Sequence, residues 1–209
     1  MIQTNVRILF IGDSITDAFR RPEELNNAFQ LGNGYAFLIA SRLLFERPRD
    51  GLQFFNRGVC GNGLAHLEER WETDCLALEP TLISILIGVN DTLLHFNGGE
   101  SISTEAFAAR YTALLQRTRD ALPKARLMLL EPFLLACGEV GPEWKDHMKS
   151  RQEAVRVCAL NFEATFVPLQ DAFDVACRDA PPEYWAYDGI HATAAGFELI
   201  ARQWFAAKN

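Results

Sequence analysis

A serine in the setting of a nucleophile lies close to the amino terminus. Gly12-Asp13-Ser14 directly follows a short apolar run that is typical of a buried strand. A serine at the carboxyl end of such a strand lies where parallel sheets bind ligands. If a helix starts there, its free N–H groups point at the group that the serine attacks. The alternative is a strand–helix junction at which Asp13 or Ser14 only caps the helix, and for an isolated Asp-Ser pair this is the commoner case.

An aspartate–histidine pair near the carboxyl terminus has the spacing of a proton-accepting pair. A serine hydroxyl needs a base within hydrogen-bond reach before it can attack a carbonyl carbon. In Tyr187-Asp188-Gly189-Ile190-His191 the carboxylate precedes the imidazole by three residues, and the glycine between them lets the backbone turn. Asp188 can then orient one ring nitrogen of His191 and leave the other free to face Ser14. A surface Asp–His pair at the start of the last helix is the structural alternative.

The other histidines are weaker candidates for the base, and Cys60 is a weaker candidate for the nucleophile. His66 and His95 have no carboxylate three residues before them, where Asp188 stands before His191. His147 follows Asp146 within a helical pattern, on what we expect to be its solvated face. Cys60 is a second nucleophile by residue type, but no histidine or basic group is implied beside it, so a thiol mechanism is the weaker hypothesis.

Two further strand ends offer donors for an oxyanion, the negatively charged oxygen of a tetrahedral intermediate. Gly61, in the glycine-rich segment 56–63, can present its backbone N–H, and Asn90, in Gly88-Val89-Asn90-Asp91, can present its side-chain amide. The glycines near Gly61 could also form a dinucleotide-binding loop, but their order differs from G-x-G-x-x-G and they follow the second strand. The sequence contains no metal-binding constellation, and this chemistry requires neither a metal nor another cofactor.

Short apolar runs alternate with amphipathic stretches, which predicts an α/β fold of repeated strand–helix units. The candidate strands are Val6–Ile11, Leu52–Asn56, Thr81–Ile87, Arg126–Glu131 and Ala164–Val167. The predicted helices are Tyr35–Phe45, Leu64–Leu78, a helix capped by Ser103 that stops at Pro123, Trp144–Asn161 and Thr193–Ala207. Long irregular segments, which are often functional, cover Phe19–Gly34, Phe133–Pro142 and Asp179–Ala192.

This pattern favours a three-layer αβα sandwich around a five-stranded parallel sheet. We expect the flavodoxin-like strand order 2-1-3-4-5, whose ligand crevice opens at the carboxyl ends of strands one and three. In that order Ser14, Gly61 and Asn90 lie on neighbouring loops at one edge of the sheet.

Composition excludes several classes of function. The 209 residues are enough for one sizeable domain, and the net charge of −7 argues against a nucleic-acid partner. The apolar run Ile8–Ile11 is too short for a signal peptide or a membrane span, and nothing later in the chain is a better candidate for either. The five cysteines are odd in number and lack C-x-x-C spacing, so we expect reduced thiols and a cytoplasmic protein. The sequence leaves open whether the chain forms a homo-oligomer.

Taken together, these residues resemble the GDSL or SGNH hydrolase family over nearly the whole chain, and the resemblance implies one catalytic domain over residues 1–209. It implies that Ser14 is the nucleophile, His191 the base and Asp188 its orienting partner. It also implies an oxyanion hole made by the backbone N–H groups of Ser14 and Gly61 and by the amide of Asn90. Two positions depart from the family pattern. These are Ala192, where a proline usually follows the histidine, and Cys60, where serine is common.

Further segments resemble the branch of carbohydrate acetyl esterases that includes acetylxylan esterases. They are Asn56-Arg57-Gly58, Glu131-Pro132-Phe133, Val167-Pro168-Leu169 and Tyr184-Trp185-Ala186. The branch implies a serine esterase for short acyl groups, acetyl first, that acts on small-molecule or oligosaccharide esters.

The candidate substrate-binding residues are Asp13, Trp185 and Tyr187, although aromatic residues such as the last two are more often part of a core. Two alternative functions remain. One is a lysophospholipase or thioesterase that prefers long acyl chains, and the other is a non-catalytic carbohydrate-binding domain that needs only the pocket.

Overall fold

The computed structural model describes residues 6–23, 28–99, 102–138 and 140–207. Within these ranges five strands form one parallel sheet in the order β2-β1-β3-β4-β5, which confirms the predicted fold and strand order. The strand bounds differ from the predicted ones by at most two residues. The strands are β1 (Arg7–Gly12), β2 (Gln53–Gly58), β3 (Leu82–Leu86), β4 (Arg126–Leu130) and β5 (Thr165–Val167).

Helices cover both faces of the sheet. Strand β1 shows why, since Ile8 and Phe10 enter one apolar cluster while Leu9 and Ile11 enter the other. The first cluster includes residues of the helices at 35–46 and 194–207, and the second includes residues of the helices at 64–69, 71–74, 104–121 and 142–161. The helices are α1 (Ser14–Asp17), α2 (Tyr35–Glu46), α3 (Leu64–Glu69), α4 (Trp71–Asp74), α5 (Val89–Phe96), α6 (Thr104–Ala121), α7 (Pro142–Asn161), α8 (Gln170–Ala176), α9 (Pro182–Trp185) and α10 (Ala194–Ala207), with 3₁₀ turns at Ala28–Leu31 and Leu76–Leu78.

The prediction of one helix over Leu64–Leu78 is wrong, because the chain forms α3, α4 and a 3₁₀ turn there. The first break is at Arg70, whose backbone dihedral angles (φ −103°, ψ 7°) leave the helical region. Its guanidinium donates hydrogen bonds to the carbonyl oxygens of Gly12 and Arg57. Contacts with distant strand ends therefore override a locally helical pattern at this position.

Helix α5 begins inside the segment Gly88-Val89-Asn90-Asp91, where the sequence indicated only a loop after β3. Gly88 precedes it with φ +124°, a conformation that side-chain-bearing residues rarely adopt. The helix packs on α7, where His147 stacks on His95 with ring centroids 4.2 Å apart. The prediction that His147 lies on a solvated face is therefore wrong, since its side chain is half-buried.

The segments predicted to be irregular contain short ordered elements. The 3₁₀ turn Ala28–Leu31 lies in the first and α9 in the last, while α8 was not expected at all. Residues 24–27 and 139, which belong to two of these segments, lie outside the described residues, as do residues 1–5 at the amino terminus. None of the helices in the described ranges is long and apolar enough to cross a membrane.

Candidate active site

The end of β1 places Ser14 at the first position of α1. Asp13 caps this four-residue helix, because its Oδ1 accepts the N–H of Ile15 at 2.9 Å. The strand ends close to β3, and a Cβ on Gly12 would lie only 2.0 Å from the carbonyl oxygen of Leu86. Ser14 itself is half-buried, and its N–H belongs to the first turn, where a helix provides no acceptor of its own.

The structure brings Ser14 together with the aspartate–histidine pair. Ser14 Oγ lies 3.0 Å from Nε2 of His191, and Nδ1 of the same ring lies 2.6 Å from Oδ2 of Asp188. The turn between the pair depends on Gly189, which has φ +87° and where a Cβ would lie 2.4 Å from the carbonyl oxygen of Leu135. A hydroxyl, an imidazole and a carboxylate in line can move a proton from oxygen to nitrogen during nucleophilic attack.

Asp188 stays ionised in this arrangement. Its partial burial acts to raise the pKa of the carboxyl, but hydrogen bonds from the His191 ring and from two backbone N–H groups outweigh it, so the pKa lies below its ordinary value. Oδ1 accepts the N–H of Ile190 at 3.0 Å and that of His191 at 2.7 Å. The carboxylate is therefore charged near neutral pH and can stabilise a protonated imidazole.

The candidate oxyanion donors follow β2 and β3, the two strands that flank β1 in the sheet. Asn90 Nδ2 donates to the carbonyl oxygen of Asn62 at 2.9 Å, which holds the amide group and leaves its second hydrogen for another acceptor. Gly61 is exposed with φ +78°, and a Cβ built on it would meet no atom within 4 Å. The positive φ therefore favours a glycine at this position, whereas steric crowding does not require one.

Arg70 joins the strand ends, and sequence reasoning missed it. Its Nη2 donates to the carbonyl oxygen of Gly12 at 2.9 Å and its Nη1 to that of Arg57 at 2.7 Å. Nε donates to Oδ1 of Asn62 at 2.8 Å, and Asp74 forms an ion pair with the same guanidinium at 2.9 Å. One side chain thus fixes the loop of Gly61 against the strand that ends at the serine. No motif marks this arginine in the sequence.

Asp91 is a second link between the segments that carry Gly61 and Asn90. Both of its carboxylate oxygens accept the N–H of Leu64, at 3.2 and 3.1 Å, so the start of α3 is held against the start of α5. Burial is the main cause that raises the pKa of this carboxyl. A Cβ on Gly63 would lie 3.1 Å from the same carboxylate, which shows how closely the two segments pack. The sequence placed Asp91 next to Asn90 but gave it no role.

A cavity of about 210 Å³ adjoins Ser14 and His191. Tyr187 borders it, as the prediction of a substrate-binding residue requires. Trp185 is not among the residues that line it, and the indole N–H donates to the carbonyl oxygen of Ala180 at 3.3 Å. The other lining residues are Ile15, Asp17, Ala18, Phe19, Cys60, Ala192 and Phe197.

Asp13 has no free surface with which to contact a substrate, since only 1% of it is exposed. Its Oδ2 has no hydrogen-bond partner among the described residues. Burial raises the pKa of this carboxyl to about 7. Any effect of Asp13 on a substrate therefore runs through α1, the helix that it caps.

A larger cavity of about 650 Å³ lies between α2 and the edge strand β2. None of the candidate catalytic residues lines it, so the smaller cavity is the site where chemistry can take place. Cys60 is exposed at the rim of the smaller cavity, but Nε2 of His191 faces Ser14 Oγ. Among the described residues no group of three or more histidine, cysteine, aspartate or glutamate side chains is placed to hold a metal ion.

Comparison with known proteins gives matches over almost the whole chain. The model of the GDSL-like lipase/acylhydrolase family matches residues 10–199. An acetylxylan esterase of Geobacillus stearothermophilus is 31% identical over 206 residues, which cover 96% of this chain and 93% of the relative.

Solved structures agree with this match. A Parabacteroides merdae protein assigned as a GDSL-like lipase has a TM-score of 0.94 and 36% identity, and the match covers 99% of this chain and 97% of that one. Axe2, an acetylxylan esterase of Geobacillus stearothermophilus, has a TM-score of 0.88 and 29% identity over 99% of this chain and 96% of its own. Structures of two catalytic mutants of Axe2, in which a serine or an aspartate is replaced by alanine, are equally similar.

Proposed function

The chain belongs to the GDSL-like lipase/acylhydrolase family, and we propose that it removes short acyl groups, acetyl first, from their esters through an acyl-enzyme on Ser14. The family and the acetylxylan esterase relative make it a serine carboxylic-ester hydrolase. The observation that carries the proposal is the continuous chain of contacts from Ser14 Oγ through His191 to Asp188. The catalytic serine and aspartate of the related Axe2 support the same roles here.

In the first step Ser14 Oγ attacks the carbonyl carbon of the ester while Nε2 of His191 takes the hydroxyl proton. The carbonyl oxygen becomes negative, and the N–H groups of Ser14 and Gly61 with the amide of Asn90 stabilise it. When the tetrahedral intermediate collapses, the C–O bond to the alcohol breaks. His191 gives its proton to the departing alcohol oxygen, and the acyl group remains on Ser14.

In the second step water replaces the alcohol. His191 takes a proton from the water, whose oxygen attacks the carbonyl carbon of the acyl-serine. The bond between Ser14 Oγ and the carbonyl carbon then breaks, and the proton returns from His191 to Ser14. Asp188 keeps Nδ1–H oriented throughout and stabilises the imidazolium that forms in both steps.

The cavity favours a short acyl chain over a long one. Its volume of about 210 Å³ is smaller than the roughly 300–1,000 Å³ that is usual for pockets holding drug-sized ligands. The lining residues are mostly apolar and include Ile15, Ala192 and Phe197, which suit a small apolar group such as the acetyl methyl. A lysophospholipase or thioesterase with a long acyl group is therefore the second candidate function.

The relative that acts on acetylated xylan suggests an oligosaccharide as the natural alcohol.

We also propose that residues 1–209 form one catalytic domain. The odd number of cysteines and their lack of C-x-x-C spacing support a cytoplasmic location.

Hydrolysis of p-nitrophenyl acetate and p-nitrophenyl octanoate by wild type and Ser14→Ala tests the proposal. We expect the acetate to be the better substrate and the mutant to lose at least about 10³-fold in kcat. Ser41→Ala, an exposed serine of α2, is the matched control and should keep full activity. Preference for the octanoate would retain the mechanism and favour the long-chain alternative. Equal, slow rates for wild type and Ser14→Ala would instead favour a non-catalytic carbohydrate-binding domain, in which Ser14→Ala leaves affinity for the sugar intact.

A further inference from the structure

We propose that Gln170 is a positioning residue for the esterase reaction, which acts through an intervening segment on the turn that carries Asp188 and His191. The proposal rests on the esterase function above and adds a residue that helps to hold its acid–base pair. The intervening segment is Phe133–Gly138, here called the strap. It contains neither helix nor strand, and its residues at 133–135 and 137 are buried. A buried segment of this kind needs partners for its backbone groups.

The strap packs directly against the turn of the aspartate–histidine pair. The Leu135 N–H donates to the carbonyl oxygen of Gly189 at 2.8 Å. A Cβ on Gly138 would lie 2.9 Å from the carbonyl oxygen of Asp188, so the two backbones are in contact there. Gly189 is the residue between Asp188 and His191 whose positive φ forms the turn. A displacement of the strap therefore displaces the turn.

Gln170, the first residue of α8, holds the strap by both backbone groups of one residue. Its Oε1 accepts the Leu134 N–H at 3.1 Å, and its Nε2 donates to the Leu134 carbonyl oxygen at 3.1 Å. Leu134 is fully buried and lies outside any helix or strand, so this side chain satisfies its backbone in place of a regular element. Leu134 immediately precedes Leu135, which contacts Gly189. One amide group thus fixes the strap next to its contact with the turn.

The side chain of Gln170 is itself fixed by three neighbours. The Gln170 backbone N–H donates to Oε2 of Glu131, the residue after β4, at 2.8 Å. Gln152 Nε2 donates to the Gln170 Oε1 at 3.0 Å, and the Gln170 Nε2 also donates to Oδ1 of Asp174 at 3.1 Å. A donor thus faces the amide oxygen and an acceptor faces the amide nitrogen, which sets the orientation of the amide group. That orientation is the one that pairs with Leu134.

The proposed reaction depends strictly on the position of the turn. Oγ of Ser14 and Nε2 of His191 are 3.0 Å apart, and a misplacement of about 1 Å can cost on the order of 10²-fold in rate. Because His191 transfers the proton and Asp188 orients its ring, a loosened turn should lower kcat and leave KM nearly unchanged. A residue that only stabilised α8 would instead lower Tm and leave kcat as it is.

Gln170→Met tests the proposal, because methionine is also unbranched and favours a helix but lacks the amide group. We expect kcat for p-nitrophenyl acetate to fall about tenfold, with KM within about twofold of the wild-type value. Gln116→Met is the matched control and should keep the wild-type kcat. Gln116 is exposed on α6 and, like Gln170, donates to an aspartate four residues later, Asp120.

Gln170→Glu is the conservative variant. Its carboxylate can still accept the Leu134 N–H but cannot donate to the Leu134 carbonyl oxygen. We expect kcat to fall by about threefold, less than in Gln170→Met. If Gln170→Met does not fold, as judged by thermal unfolding, Gln170→Glu takes its place in every comparison.

A double-mutant cycle with Asp188→Asn shows whether the effect of Gln170 passes through the turn. Once Asp188→Asn has removed the orientation of the His191 ring, loosening the turn has little more to remove. We expect Gln170→Met to lower kcat by less than about twofold in that background, against about tenfold in the wild-type background. An equal fold-loss in both backgrounds would overturn the proposal. An unchanged kcat in Gln170→Met, or a raised KM at constant kcat, would overturn it as well.

Failure of the esterase function gives a different result. Equal, slow rates for wild type and Ser14→Ala would reject the function on which this proposal rests. An active wild type whose kcat is unaffected by Gln170→Met would reject the positioning role alone.

Discussion

Asp188 holds His191 by its ring and by its backbone at the same time. Oδ2 lies 2.6 Å from ring Nδ1, and Oδ1 lies 2.7 Å from the backbone nitrogen of the same residue. The two oxygens thus have separate tasks, one in fixing the tautomer of the imidazole and one in fixing the turn that carries it. A substitution can therefore remove one task and keep the other.

Asp188→Asn separates the two tasks. The amide oxygen can still accept the backbone N–H groups of Ile190 and His191, but the NH₂ group cannot accept Nδ1–H, so the ring is held in the wrong tautomer. We expect kcat to fall about 10³-fold or more with little change in Tm. Steady-state kinetics and thermal unfolding measure the two effects. Near-wild-type kcat in this variant would contradict the role that we give to Asp188.

Asn90→Ala removes the side-chain donor proposed for the oxyanion. Loss of one such donor costs about 10²–10³ in kcat in other acyl-transfer enzymes, with little effect on substrate binding. We expect a fall of this size with a nearly constant KM for p-nitrophenyl acetate. The contact with Asn62 is lost as well, so a Tm measurement must accompany the kinetics. A variant that loses stability and retains kcat would show that Asn90 only holds the loop.

Arg70→Lys tests whether the link between the strand ends positions the oxyanion hole. Lysine keeps the charge but cannot reach three acceptors with a rigid fork. Arg119 is the matched control, since its guanidinium also donates to two carbonyl oxygens, those of Ala125 and Phe162, away from the site. We expect both lysine variants to lower Tm by a few degrees and only Arg70→Lys to lower kcat, by about tenfold. Equal kcat values in the two variants would show that Arg70 stabilises the fold and does not position the oxyanion hole.

Asp13→Asn should change how stability depends on pH. Burial raises the pKa of Asp13 from 3.8 to about 7, so between these pH values the folded state holds a proton that the unfolded chain has lost. The contribution of Asp13 to the free energy of unfolding is therefore fully present below about pH 4, and it is lost as the pH rises towards 7.

Asparagine keeps an oxygen for the Ile15 N–H and does not titrate. We expect Asp13→Asn to match wild type in Tm near pH 4 and to exceed it by about 5 °C at pH 8. The exposed Asp179→Asn serves as the control and should follow wild type at both pH values. Parallel Tm curves for Asp13→Asn and wild type would show that Asp13 does not titrate in this range.

Much of the sheet could be predicted from the sequence because strand patterns are local. Short apolar runs, several of them continuous, marked all five strands, and the alternation with helices favoured the observed order. The break of the predicted helix at Arg70 could not be predicted, since three acceptors of its guanidinium, on Gly12, Arg57 and Asn62, lie outside that helix. The start of α5 at Val89 was missed because Gly88 and Asn90 read as loop residues.

The sequence by itself determined which residue types could carry acyl transfer and at which strand ends they stand. Those assignments follow from short segments, in which residue order and backbone preference are enough. Only the tertiary structure decided that Ser14 and His191 meet at 3.0 Å across 177 positions of the chain. It also decided that Asp13 is enclosed while Phe19 is exposed. Burial and long-range contacts depend on how the elements pack together, and no local pattern specifies that packing.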